Sequence, residues 1–125
     1  MKIKMEENCV FCKIVKNELP STKLYEDDDV IVIKDINPIA PIHLLVIPKK
    51  HILSMMELDD EKLLSKIFKV IKEIAERNDI ETEILKGETL ATRGFRVITN
   101  IGEDGGQAVK HLHFHILGGT KLPTR

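Results

Sequence analysis

The chain has almost no net charge, few cysteines and no long apolar segment. Its 125 residues include 19 Lys and Arg against 20 Asp and Glu, a formal net charge of −1 at pH 7. A balance this close to neutral gives no electrostatic attraction to a nucleic acid polymer or an anionic membrane surface. No stretch approaches the length of a membrane span, and the N-terminus lacks the apolar centre of a signal peptide. We therefore expect a cytoplasmic protein that binds neither nucleic acid polymers nor membranes.

Cysteine is scarce, since Cys9 and Cys12 are the only two in the chain. In a reducing compartment such residues are more often thiols or metal ligands than a disulfide. The Cys-x-x-Cys spacing is half of a tetrahedral zinc site, although a redox pair has the same spacing. A redox pair usually opens a helix in a β-α-β unit, which this sequence does not indicate. Metal ligation is therefore the favoured interpretation.

The rest of the composition is that of a folded domain. Hydrophobic residues make up 42% of the chain and charged residues 31%, which is typical of a globular protein. A length of 125 residues is sufficient for one substantial core and too short for two. We expect one domain over residues 1–125, with a polar start over residues 1–8.

Apolar periodicity separates the chain into strands and one main helix. From Asp59 to Arg77 apolar residues recur at helical spacing, with Asp59 as the expected N-cap. The core-facing stripe of this helix is expected to consist of Leu63, Leu64, Ile67, Phe68, Ile71 and Ile74. Shorter β-prone runs predict strands at 23–25, 30–33, 44–47, 95–99 and 109–117. Residues 79–92 have no clean period and are expected to form a turn and a connecting segment. Antiparallel strands with one main helix define an α+β fold.

The most informative segment is the last predicted strand, where His111, His113 and His115 alternate with apolar residues. Side chains two apart on a strand leave the same face, so the imidazoles are expected to line one face and the apolar residues to anchor the other. Imidazole serves as nucleophile, acid–base group or metal ligand near neutral pH. A low-complexity metal tract would lack the interleaved core residues, an affinity tag would be contiguous, and an ordinary strand face would more commonly carry Thr, Lys or Glu. Glycine pairs at 105–106 and 118–119 let backbone N–H groups approach an anion. We interpret the segment as a functional site.

This segment resembles the signature of the histidine triad family, His-x-His-x-His followed by two apolar residues. The match runs from Gln107 to Leu117, and further matches occur in the expected order at 9–14, 40–49, Asn100 and Gly119. The pattern is most similar to the nucleotide-binding branch in its zinc-bearing bacterial and archaeal form. The resemblance implies a five-stranded antiparallel sheet with one main helix, and a homodimer in which strands and helices pair across a two-fold axis.

The resemblance implies nucleotidyl transfer through a covalent intermediate. His113 would attack the α-phosphorus of a purine nucleoside phosphoramidate or acyl-adenylate, and water would then release the mononucleotide. The backbone carbonyl of His111 would accept the ring proton of His113. His115 would donate to the phosphate or the leaving group, supported by His43. Most of these rings are expected to be neutral, because adjacent imidazolium ions repel. The alternatives are a dinucleoside polyphosphate hydrolase and a nucleotide-binding regulatory module with weak catalysis.

The same resemblance assigns a nucleotide pocket. Asp35 would accept hydrogen bonds from both ribose hydroxyls, and a carboxylate that caps a turn is the other interpretation. The apolar positions that would sandwich the base are Phe11, Ile33 and Ile36, for which plain core packing also stays open. The groups that would hold the phosphate are Asn100, Gly105, Gly106 and Gln107. Many members of this branch have Ser or Thr where this chain has Ala108. The missing hydroxyl predicts slower phosphoramidate turnover or an altered substrate choice.

The resemblance also completes the metal site. Zinc-bearing relatives add a histidine shortly after the Pro-Lys element and the first triad histidine, which are His51 and His111 here. With Cys9 and Cys12, these would give two thiolates and two neutral imidazoles, which balance a zinc dication and close its coordination shell. A structural zinc ion is therefore implied. It would fix the N-terminal segment to the triad strand and hold the backbone that orients His113.

Overall fold

Within residues 8–124, the part of the chain that the computed structural model describes, five strands form one sheet. In chain order they are β1 (Lys23–Glu26), β2 (Val30–Lys34), β3 (Ile42–Pro48), β4 (Arg96–Ile98) and β5 (Phe114–Gly118). Their order across the sheet is β1-β2-β3-β5-β4, and every neighbouring pair is antiparallel. The predicted α+β fold with a five-stranded antiparallel sheet is confirmed. Most of the predicted polar start, residues 1–7, lies outside the described residues.

Four α-helices and one 3-10 turn accompany the sheet in residues 8–124. They are α1 (Val10–Val15), the 3-10 turn Met55–Glu57, α2 (Glu61–Glu76), α3 (Thr82–Leu85) and α4 (Leu90–Arg93). The sequence predicted α2 alone, because α1, α3 and α4 are too short to display a helical period. The expected connecting segment at 79–92 therefore contains two short helices, which carry Leu85 and Leu90 into the core. None of the helices in this part of the chain is both long and apolar enough to cross a membrane.

The main helix α2 begins one residue later than predicted. Asp60, not Asp59, is the N-cap, because its side chain accepts hydrogen bonds from the backbone N–H groups of Lys62 and Leu63. These bonds satisfy two of the donors that the first turn of a helix leaves without an intrahelical acceptor. Both aspartates precede the same apolar run, so spacing alone could not separate them.

The buried stripe of α2 is rotated relative to the predicted one and includes Val70 and Ala75, which were not predicted. Its buried members are Ile67, Val70, Ile71, Ile74 and Ala75. Leu64 and Phe68 were expected in this stripe, but their side chains are 39% and 50% exposed. At the 100° turn per residue of an α-helix, Phe68 lies at the edge of the buried stripe, whereas Leu64 lies in the first turn of the helix. Phe68 still contacts the edge of Phe114, with ring centroids 5.9 Å apart.

Alternation along β3 and β5 divides the sheet into two faces. On the face below α2, Ile42, Leu44 and Val46 pack in the main core with Leu112, Phe114 and Ile116. Burial of the three apolar residues in the histidine segment is therefore confirmed. On the opposite face, Ile31, Ile33, Leu45 and Ile47 form a smaller cluster with α1. The histidines belong to this second face, beside α1.

The histidine strand is shorter than the predicted 109–117. Its last pair with β3 joins Val46 to Phe114, so the segment at 111–113 precedes β5. This segment is held by other bonds: the N–H of Leu112 donates to the carbonyl of Ile52 at 2.6 Å, and Thr99 Oγ1 donates to the carbonyl of His113 at 2.8 Å. Side chains still alternate between the two faces. β3 is longer than predicted, and it therefore includes His43.

Candidate active site and metal centre

His113 has a defined proton position. Its Nδ1 atom lies 2.7 Å from the backbone carbonyl oxygen of His111. A carbonyl can only accept, so Nδ1 carries the proton and Nε2 keeps its lone pair. Burial lowers the pKa of His113 below the ordinary histidine value, although its bond to His111 and the charge of Asp35 act in the opposite direction. A buried, neutral imidazole with a lone pair on Nε2 has the properties of a nucleophile.

His43 and His115 form a hydrogen-bonded pair beside this ring. In the β3–β5 register His43 opposes Leu117 and His115 opposes Leu45, so the two histidines are diagonal neighbours on one face. Nε2 of His43 lies 2.9 Å from Nδ1 of His115. Burial lowers the pKa of both rings, and the neighbouring histidines help to lower that of His115 to about 4. The predicted proximity of His43, His113 and His115 is found, with the rings of His113 and His115 5.0 Å apart.

Asp35 lies at the end of β2, next to His43. Its backbone N–H donates to the carbonyl of His43 at 3.0 Å. Its Oδ1 accepts from the N–H of Asn37 at 2.8 Å, so the turn-capping interpretation applies to this oxygen. Its Oδ2 lies 3.4 Å from Nε2 of His43. The carboxylate is half-buried and faces the histidine pair.

The three residues predicted to sandwich a base differ in their surroundings. Phe11 is 6% exposed and presents an edge contact to His113, with centroids 4.9 Å apart. Ile33 is 3% exposed within the smaller apolar cluster, so core packing describes both of these residues. Ile36 is 86% exposed, immediately after Asp35. Contact of these side chains with a base stays a prediction.

The predicted phosphate loop is closed by two side-chain amides. Asn100 Nδ2 donates to the carbonyl of Gly105 at 2.7 Å. Gly105 has no room for a side chain, because an added Cβ would lie 2.2 Å from the carbonyl oxygen of Ile101. Gln107 Nε2 donates to the carbonyl of Leu53 at 2.6 Å. The side chain of Gln107 therefore ties the loop to the segment at Leu53, and the sequence did not predict this role.

Cys9, Cys12, His51 and His111 converge as predicted, with their ligand atoms all within 4.8 Å of one another. Cys9 Sγ lies 3.3 Å and Cys12 Sγ 3.6 Å from Nδ1 of His111, and Cys12 Sγ lies 3.3 Å from Nδ1 of His51. Tetrahedral zinc separates sulfur and nitrogen ligands by about 3.5 Å, from the usual bond lengths. The cluster is therefore close enough to hold a metal ion.

Hydrogen bonding around this cluster suits a metal. Nε2 of His111 lies 2.8 Å from the carbonyl oxygen of Pro48, so Nε2 carries the proton and Nδ1 directs its lone pair at the two sulfurs. An outer hydrogen bond of this kind orients a metal-ligating imidazole. Cys9 also caps α1, since its Sγ accepts from the N–H of Cys12 at 3.4 Å. The Cys-x-x-Cys pair therefore does open a helix, but in an antiparallel sheet without a β-α-β unit.

Asp35, His43 and His115 form a second group whose potential ligand atoms lie close together. Unlike the Cys/His cluster, this group has hydrogen bonding that does not suit a metal. The backbone N–H of Ile39 donates to Nδ1 of His43 at 3.1 Å. A metal at Nε2 of His43 would displace the proton to Nδ1, where it would face another donor. This arrangement favours a hydrogen-bonded group over a metal site.

Three contacts that define the site carry no signal in the sequence. They are the carbonyl of Pro48 on His111, the N–H of Ile39 on His43, and the Thr99 hydroxyl on the carbonyl of His113. In the first two, the group that contacts the histidine ring is a backbone atom; every residue has a carbonyl, and every residue except proline has an N–H. The placement of the chain, not residue identity, determines these two contacts.

The fold and site define a small α+β protein with a histidine cluster on one face of an antiparallel sheet. A model of the HIT domain matches residues 16–122. The chain is 41% identical to Protein HitA of Neisseria gonorrhoeae over 114 residues, which cover 90% of this chain and 96% of that protein. A HIT family hydrolase structure from Clostridium thermocellum is similar with a TM-score of 0.82 at 46% identity, covering 97% of this chain and 98% of that one. A histidine triad protein structure from Clostridium difficile gives 0.81 at 46% identity, covering 100% and 99%. The chain belongs to the HIT, or histidine triad, family.

Proposed function

We propose that this protein is a nucleotide hydrolase that cleaves purine nucleoside phosphoramidates or acyl-adenylates at the α-phosphorus. The observation that carries the proposal is the lone pair on Nε2 of His113, which the bond from Nδ1 to the carbonyl of His111 leaves available. The similarity to a HIT family hydrolase from Clostridium thermocellum supports hydrolysis as the reaction class. Covalent catalysis would divide one difficult displacement into two easier ones.

In the first step, Nε2 of His113 forms a bond to the α-phosphorus. With a phosphoramidate, the bond from phosphorus to nitrogen breaks, and its electron pair leaves with the amine, which takes a proton from solvent. With an acyl-adenylate, the bond from phosphorus to the acyl oxygen breaks, and its electron pair leaves with the carboxylate. In the second step, water attacks the phosphorus and loses one proton to solvent, the bond to Nε2 breaks and its electrons return to His113. The products are the mononucleotide and the amine or carboxylate. His115 would hydrogen-bond to the phosphoryl group or leaving atom, where negative charge develops.

The proposed nucleotide site surrounds these rings. Oδ2 of Asp35 would accept from the ribose hydroxyls, since Oδ1 already caps the turn at Asn37. Asn100 and the loop at 105–107 would hold the phosphate, and Phe11, Ile33 and Ile36 are the proposed base contacts. Ala108 is exposed beside this loop and offers no hydroxyl. A shift in leaving-group preference is the expected consequence.

For the metal centre we propose a structural zinc ion. Cys9, Cys12, His51 and His111 would hold it, and two thiolates would neutralise its charge. Zinc would cross-link α1 to the segments around His51 and His111, and it would take no part in bond cleavage. Reduced thiols are consistent with the cytoplasmic location proposed for the protein.

A homodimer is the proposed assembly. β4 is an edge strand with three residues, and an exposed strand edge is a template for pairing with another chain. Val97 on β4 is 41% exposed, and Leu64 and Phe68 add apolar surface on α2. We expect sedimentation velocity to give twice the mass of one chain. A single species with the mass of the monomer would contradict this assembly.

Turnover of three substrates, measured side by side, tests the reaction. We expect an adenosine phosphoramidate or an acyl-adenylate to be cleaved to AMP with a higher kcat/KM than diadenosine polyphosphate. Faster cleavage of the diadenosine compound would favour the polyphosphate hydrolase instead. Tight AMP binding without turnover of any of the three would indicate a regulatory module.

A further inference from the structure

The loop between Asp35 and His43 brings one backbone N–H to the histidine pair. Pro38 and Pro41 have no N–H, and the N–H of Asn37 is bonded to Asp35. The N–H of Ile39 points to Nδ1 of His43 at 3.1 Å. The side chain of Ile39 is 76% exposed. In this loop the peptide group of Ile39, not its side chain, is what contacts the site.

This contact determines where the proton of His43 lies. A peptide N–H can only donate, so Nδ1 of His43 must accept with its lone pair. In a neutral imidazole the proton is then on Nε2. His43 is 6% exposed, and water therefore has little opportunity to replace the contact.

The proton of His43 in turn determines the state of His115. Nε2 of His43 lies 2.9 Å from Nδ1 of His115, nearer than the 3.4 Å to Oδ2 of Asp35. Because Nε2 of His43 donates, Nδ1 of His115 must accept. The proton of a neutral His115 is then on Nε2, the nitrogen that is left for a ligand.

We propose that the Ile39 peptide N–H is a positioning group, which fixes both His43 and His115 as Nε2–H tautomers and so makes His115 a hydrogen-bond donor. The inference rests on the proposed nucleotidyl transfer and adds a residue to it. With the other tautomer, Nδ1–H of His43 would face the N–H of Ile39, and His115 would present a lone pair to the substrate. An acceptor at that position would repel a phosphoryl oxygen and would not stabilise a leaving atom.

The direct test is NMR of the wild-type protein with 15N-labelled histidine. We expect Nδ1 of His43 and Nδ1 of His115 to be unprotonated, with both protons on Nε2. A 15N–15N coupling across the hydrogen bond is expected between Nε2 of His43 and Nδ1 of His115. A proton on Nδ1 of His43 would overturn the inference. This spectrum does not depend on turnover, so a protein with these tautomers and no activity would refute the proposed reaction instead.

A pair of variants tests the effect on the reaction. Ile39→Pro removes the N–H, whereas Ile39→Ala keeps it and changes only an exposed side chain. With a phosphoramidate of a poorly leaving alkylamine, we expect kcat to fall about tenfold or more in Ile39→Pro and to change little in Ile39→Ala. With a nucleoside 5′-nitrophenyl phosphate, whose leaving group needs little stabilisation, both variants are expected to stay within about threefold of wild type.

Two results would separate positioning from simple damage to the fold. In Ile39→Pro the coupling between the two histidines should disappear while the circular dichroism spectrum is kept. If kcat fell equally for both substrates, or fell equally in Ile39→Ala, the role assigned to the peptide N–H would be wrong. Loss of the fold in Ile39→Pro would leave the tautomers in the wild-type spectrum as the deciding measurement.

Discussion

Replacing His113 by alanine is expected to lower the turnover of an adenosine phosphoramidate by roughly four orders of magnitude or more. The reason is that the lone pairs of the neighbouring imidazoles already have partners. Nδ1 of His115 accepts from Nε2 of His43, and Nδ1 of His43 accepts from the N–H of Ile39. Nδ1 of His111 faces the sulfurs of Cys9 and Cys12. Without His113 the phosphoryl group has no covalent acceptor. Steady-state release of AMP by wild type and variant measures the effect.

His115→Ala is the matched control for this prediction. It removes a neighbouring ring of the same size, and a loss of about a hundredfold is expected from one hydrogen-bond donor to the transition state. Rapid quenching should show a nucleotidyl adduct in wild type and in His115→Ala, and none in His113→Ala. AMP should bind His113→Ala nearly as well as wild type. Equal turnover by wild type and His113→Ala would refute the nucleophile, as would an adduct mapped to another residue.

The arrangement of the histidines could be predicted because a strand and a metal site impose simple spacing. Alternation predicted that Leu112, Phe114 and Ile116 would be buried, and Cys-x-x-Cys predicted two of the residues of the candidate metal cluster. His43 and His51 could not be placed by spacing, since both are far from 111–115 in the chain. The family resemblance supplied them, and the β3–β5 register explains the position of His43.

The parts that sequence reasoning missed depend on short elements and backbone atoms. α1 has six residues, too few for a helical period, yet its N-cap Cys9 is a candidate metal ligand. The helical pattern of α2 was correct, but the buried stripe is rotated toward Val70, so that Phe68 lies at its edge, and Leu64 lies exposed in the first turn. The contacts of the Ile39 N–H and the Pro48 carbonyl could not be predicted, since every non-proline residue has a backbone N–H and every residue has a backbone carbonyl.

The second large effect is expected at the candidate metal centre. Cys12→Ser replaces a fully buried candidate ligand by a side chain of similar shape that binds zinc poorly. We expect the zinc content to fall from about one ion per chain to nearly none, and the thermal midpoint to fall by roughly 10 °C. Without the ion, the contacts between α1 and the sheet include the apolar packing of the smaller cluster and the edge contact of Phe11 with His113, but no bond to a metal cross-links them. Metal analysis and calorimetry of both proteins measure these changes.

His113→Ala provides the contrast that separates the two sites. His111 and His113 are two residues apart and joined by a hydrogen bond of 2.7 Å, but of these two only His111 belongs to the candidate metal cluster. His113→Ala should therefore keep its zinc and most of its thermal stability while it loses turnover, whereas Cys12→Ser and His111→Ala should lose zinc first. Wild-type protein without stoichiometric zinc, or with an unchanged thermal midpoint after chelation, would contradict a structural ion. In that case the contacts of Cys9 and Cys12 with the two histidines, together with the apolar cluster, would hold α1 in place without a metal.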